Sequence, residues 1–245
     1  MVAERAERTR LAALMLVLTT ATGMIEAVSL LALGPVFTAM QTGNVLYLAF
    51  GAAVEGNLPA LAPAVSLASF AAGAVCAARL ESATEARGRR WFVIGLLVEG
   101  TLILAAAGAG WGVAPHYGSP TVRHLAVAAI LAVAMGFRNV TSMRVNLPGV
   151  PTTLVTRSMT AFFGGSALGQ DSAFGYGTTA WELRALAVLA MFTGGLAGAL
   201  LVRTGWPVTW LLLAPAVLVL AVATTYLTQP RLYTGSAPPD HPVAR

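Results

Sequence analysis

Long apolar runs alternate with short polar links along this chain, and their lengths suit a bilayer. Leu11–Leu33 is the first run, ended by Gly34-Pro35. A crossing needs about 20 apolar residues. The run follows an Arg-bearing start, but it is too long for a signal segment and more spans follow, so it reads as a retained helix. Five more runs have the same character: 59–80, 91–112, 122–142, 179–202 and 206–227. Asn57-Leu58-Pro59 offers a cap and a first-turn Pro. Thr179-Ala180-Trp181-Glu182 has the Thr-x-x-Glu spacing of a capping box.

Two further segments, 36–54 and 153–169, are apolar but interrupted. In the first, Thr38, Gln41, Thr42, Gly43 and Asn44 crowd into eight residues; the second is rich in Gly, Ser and Thr. Irregular backbone at membrane depth is tolerated only where protein or a wet cavity satisfies it. The expected fold is an all-α polytopic membrane protein, with about six transmembrane helices and two broken, re-entrant segments.

Charge placement sharpens that reading. Only 10% of residues are charged, against about 25% in soluble domains. All fifteen basic residues are Arg. With six crossings and both termini in the cytoplasm, thirteen Arg fall on the cytoplasmic side and only Arg123 and Arg203 outside; eight full crossings leave no bias. Positive-inside counting therefore favours six. The net charge of +5 does not imply nucleic acid, because the Arg residues lie between apolar runs and form no basic face. Cys76 is the only cysteine, which leaves no disulfide framework, and no His/Cys/acid spacing fits a metal site. The expected partners are the lipid bilayer and an unidentified small solute or ion, with an oligomer possible and no cofactor.

The two interrupted segments belong to an internal repeat. Gly23-Met24-Ile25-Glu26 followed by Thr42-Gly43 is echoed by Gly136-Phe137-Arg138-Asn139 followed by Thr156-Arg157. Phe70-Ala71-Ala72-Gly73 is matched to Phe192-Thr193-Gly194-Gly195, and Trp91 and Trp206 each open the last helix of a half. The chain thus divides into a tail (1–10), a first membrane repeat (11–112), a second (113–227) and a disordered cytoplasmic tail (228–245). Three crossings per half invert the second copy relative to the first, an arrangement that places transporter sites near the midplane.

Charges inside such runs need a reason, at roughly 2.5–3.5 kcal/mol each on insertion scales. Glu26, Glu99, Arg138 and Arg157 are therefore candidates to meet solute or ion, with Thr42, Gly43, Asn44, Asn139, Thr156 and Ser158 supplying polar groups at the two breaks. The competing reading is structural: carboxylates in ion pairs or hydrogen bonds, Arg138 snorkelling to the cytoplasmic surface, and polar residues capping half-helices. Gly73 with Ala77, and Gly194-Gly195 with Gly198, read as close helix contacts. No nucleophile or metal setting supports an enzyme.

Glu26-Ala27, Leu33-Gly34, Phe37, Thr42-Gly43-Asn44, Met135-Gly136, Asn139, Thr152-Thr153 and Val155-Thr156 resemble the YoaK-like bacterial membrane proteins, whose defining domain has no assigned function. The resemblance covers residues 11–227 and implies a polytopic inner-membrane protein with about six spans. This chain departs from the family pattern with Glu26 for Asp, Arg138 for Gln and Arg157 for Gly. The functional expectation is a secondary transporter or channel with its site between the repeats; the alternative is a membrane scaffold or assembly factor.

Overall fold

A computed structural model describes residues 2–53, 60–115, 120–147, 150, 152–153, 155–166, 169–170 and 178–232. Among these residues the chain is entirely helical: α1 (Val2–Ala32), α2 (Gln41–Ala53), α3 (Leu61–Ala86), α4 (Trp91–Ala109), α5 (Val122–Val145), α6 (Thr156–Gly164), α7 (Thr178–Arg203) and α8 (Val208–Tyr226). The six long helices are apolar enough to cross a membrane. At about 1.5 Å per residue, α2 and α6 fall well short of a ~30 Å hydrocarbon layer.

Local chemistry sets the boundaries, and several lie away from their expected places. The Arg-bearing tail is the opening of α1 itself, which starts at Val2. Gly34, at φ 119°, and Pro35 end α1, so the first break is Leu33–Met40; Thr42-Gly43-Asn44 is the first turn of α2. The region expected as a hydrophilic link from residue 81 is helical to Ala86. That helix stops where Gly88, at φ 64°, lets the Gly88 and Arg89 N–H groups turn back to the Glu85 and Thr84 carbonyls. The expected helix start at Asn57–Pro59, the polar loop 171–177 and the tail beyond Leu232 lie outside the described residues.

Contacts between helix ends fix the direction of each crossing. Ser66, near the start of α3, donates to the Phe37 carbonyl just after α1, so α1 ends where α3 begins and α2 does not cross. The end of α4 meets the start of α8, with the Val208 N–H donating to the Val113 carbonyl. At the other end of this pair, Phe92 packs edge-on against Tyr226 at 4.7 Å. α4 and α8 are therefore antiparallel, which requires that α6 not cross either. α1, α4 and α7 leave the face that carries the N-terminus, and α3, α5 and α8 return to it. The protein is a six-span polytopic membrane protein.

Packing follows a rule that relates the two halves. Exchanging α1–α4 with α5–α8 turns α1·α7 into α3·α5, α4·α5 into α1·α8 and α2·α3 into α6·α7, and leaves α4·α8 as itself. The correspondence extends to single atoms. A Cβ on Gly23 would lie 2.7 Å from the Gly195 N and press on the Met191 carbonyl; one on Gly136 would lie 2.7 Å from the Ala74 N and press on the Phe70 carbonyl. Backbones can approach this closely only where side chains are absent. The matching also corrects the sequence register by one residue. Gly73, against Val133, corresponds to Gly194, against Thr20, so Phe70 pairs with Met191 rather than Phe192.

Candidate functional site

The first break survives at membrane depth because side chains satisfy its backbone group by group. Glu26, buried near the end of α1, takes three hydrogen bonds on Oε1: from the Thr38 N–H at 2.9 Å, the Thr38 hydroxyl at 2.7 Å and the Ala39 N–H at 2.7 Å. One turn on, the Ser29 hydroxyl donates to the Val36 carbonyl at 2.6 Å. Asn44 clamps Phe37 from both sides, its Oδ1 accepting the N–H and its Nδ2 donating to the carbonyl. Gln41 donates to the Thr38 carbonyl. The chain therefore descends beside α1, from the level of Ser29 to that of Glu26, and leaves again as α2. The expected re-entrant segment is present.

The second break hangs from α5 in the corresponding way. Asn139 takes the place of Glu26, its Oδ1 accepting the Thr153 hydroxyl at 2.9 Å. Ser142 takes the place of Ser29, its Oγ accepting the Thr152 N–H at 3.4 Å. Ser158 is buried in α6 at the position of Asn44 in α2. Among the described residues, one buried oxygen at each break has no hydrogen-bond partner: Glu26 Oε2 in the first and Thr152 Oγ1 in the second.

Between the breaks lies a buried ion pair. Arg138 does not snorkel; it is fully buried. Its Nε donates to Glu99 Oε2 at 2.9 Å and its Nη2 to Glu99 Oε1, a bidentate fork. Nη1 donates to the Leu18 carbonyl at 2.5 Å and to the Thr22 hydroxyl at 3.1 Å. Glu99 and Arg138 thus join α4, α5 and α1 across the two halves. Thr22 is only four residues, about 6 Å of helix, from Glu26. Arg138 adjoins Asn139. Both latches and the ion pair lie within a few helical turns of one another.

Three further expected site residues, Thr42, Thr156 and Arg157, are exposed in the first turns of α2 and α6. Gly43 has a packing reason, since a Cβ there would lie 2.6 Å from the Phe37 ring. Replacing Asn44 by Ala should strand the Phe37 backbone and cost about 1–3 kcal/mol. Thr42→Val should stay within about 0.5 kcal/mol of wild type. Melting curves of the two purified variants check both.

Sequence reading missed a third buried carboxylate. Glu81, on α3, accepts the Thr141 hydroxyl at 2.5 Å and lies 3.4 Å from the Arg144 Nε, while Arg144 also pairs with Glu85. The Arg144 guanidinium covers the Trp91 ring at 4.8 Å. Gly95 makes room, since a Cβ there would meet the Glu81 carboxylate. The available signal was Glu81 and Glu85 at helical spacing with no breaker before Gly88.

Residues 14–225 match the family model described as protein of unknown function (DUF1275). No curated protein and no solved structure matches the chain.

Proposed function

The chain belongs to that family of proteins of unknown function, and on this premise we propose that it is a non-enzymatic secondary transporter or channel for a small solute or ion. Its two halves form an inverted repeat, with the site between the breaks. The observation that carries the reading is the pair of unpartnered buried oxygens, Glu26 Oε2 and Thr152 Oγ1, one on each break. Buried polar atoms are ordinarily bonded, and an oxygen left open at a re-entrant segment has the chemistry to take a cation, a proton or a solute donor. The backbone at each break is held by side chains, so it can be released without unfolding a helix.

The Arg distribution supports residence in a bacterial plasma membrane with both termini cytoplasmic. Arg138 is a core residue rather than a loop cation, and without it the bias still stands at twelve to two. A scaffold role is favoured by one observation: the central charge pair is fully satisfied within the protein.

The test is a melting-curve screen of purified protein against small metabolites and salts, followed by flux of each stabilising solute in proteoliposomes. A solute that binds and crosses faster than in empty vesicles supports transport. Binding without flux favours the scaffold.

A further inference from the structure

Glu26 is more than the first break needs. Matched to it in the second half is Asn139, which holds its own break through an amide oxygen. The three donors at the first break need an acceptor, and an amide oxygen can accept as a carboxylate does. Of the two matched positions, only Glu26 can also change its charge. Its Oε2 is the atom left over: it belongs to a side chain 5% exposed and has no hydrogen-bond partner among the described residues.

A buried carboxylate needs a counter-charge, and no fixed one faces Glu26. Of the helices packed on α1, α5 brings Arg138, which is tied to Glu99 of α4. α7 carries no charged residue between Arg184, near its start, and Arg203, its last residue, and α8 carries none. α2, beyond the break, has none either. The ion pairs among the described residues do not include Glu26. A mobile counter-charge remains, either a metal cation or a proton.

The hydrogen bonds of the break favour the proton. A hard metal cation gathers roughly six oxygens, but every backbone carbonyl from Val36 to Met40 already accepts a hydrogen bond from the protein. A proton needs one oxygen. On Oε1 it would displace one of three donors; on Oε2 it displaces none, so the latch stays closed while the charge changes. Thr22, one helical turn from Glu26, holds Arg138, so that change acts on the tie between the two halves.

We propose, resting on the transport reading, that Glu26 binds and releases a proton at Oε2 and that solute movement is coupled to it. Glu26 lies six residues, about 9 Å of helix, before the end of α1. The proton therefore exchanges with the face opposite the N-terminus.

The test reads the proton directly. Infrared difference spectra of full-length protein in lipid, taken between acid and alkaline buffer, report the C=O stretch of a protonated buried carboxyl. Wild type should show this signal and Glu26→Gln should lose it. A second measurement needs no variant. In proteoliposomes with the membrane potential clamped, a gradient of about one pH unit should hold each solute that passes the flux test about tenfold away from equal distribution, at one proton per solute. A carboxyl signal unchanged in Glu26→Gln overturns Glu26 as the proton site. Solute flux that no pH gradient drives overturns the coupling and leaves transport standing. A Glu26 signal that titrates while no solute crosses removes the transport reading, and the coupling with it, but keeps the proton site.

Discussion

Arg138→Met should lose about 3–5 kcal/mol of stability, enough to remove most folded protein from a detergent extract. The loss is not the worth of the ion pair. Removing the guanidinium strands the Glu99 carboxylate, which is fully buried and bonded to Arg138 alone among the described contacts. The Leu18 carbonyl still has the Thr22 hydroxyl at 3.1 Å, so little else is orphaned. The double variant Arg138→Met/Glu99→Met should therefore recover folded protein, level with or above wild type, because apolar residues of similar volume replace buried pairs at little or no loss. Yield in the monodisperse fraction and melting temperature read both variants. If the double variant is as poor as the single, the pair does more than satisfy itself. If it folds well and still transports, the pair is a structural tie rather than part of the solute path.

Glu26 should divide fold from function by the choice of substitution. Glu26→Ala removes the acceptor for two backbone N–H groups and one hydroxyl. Stranded buried donors cost about 1–3 kcal/mol each, so this variant should be severely destabilised. Glu26→Gln keeps an oxygen in place for those three donors and changes only the open position at Oε2. It should melt within about 1 kcal/mol of wild type, on the scale of a single hydrogen bond. It should also weaken solute or ion binding by at least ~10-fold, equivalent to about 1.4 kcal/mol. Binding and flux unchanged in Glu26→Gln would remove Oε2 from the site and leave Glu26 a latch only.

The crossings were legible in the sequence because bulk patterns encode them. Run length gave the six spans, Arg placement favoured them over full crossings at 36–54 and 153–169, and the matched Gly23 and Gly136 each sit at a close contact with the backbone of another helix. What failed depended on contacts between distant elements. Thr-Gly-Asn at 42–44 was read as the break itself; it is the start of α2, and Asn44 fastens the break at Phe37, seven residues earlier. Arg138 suited snorkelling because its partner Glu99 lies on another helix, 39 residues away. Glu81 looked like a loop residue until the Gly95 opening on α4 and Thr141 on α5 gave it a buried place. Arg157, expected near the tip of the second break, is exposed in the first turn of α6.

The central claim is that α2 and α6 enter and leave by the same face, on opposite sides of the membrane. With Cys76→Ala as background, single cysteines at Glu55 and Arg87 test it on intact cells with a membrane-impermeant maleimide. The account predicts that Glu55→Cys, between α2 and α3 in the chain, reacts from outside, while Arg87→Cys, at the end of α3, reacts only after permeabilisation. The reverse pattern, with Arg87→Cys labelled and Glu55→Cys protected, would mean that α2 crosses, and the re-entrant architecture would be wrong.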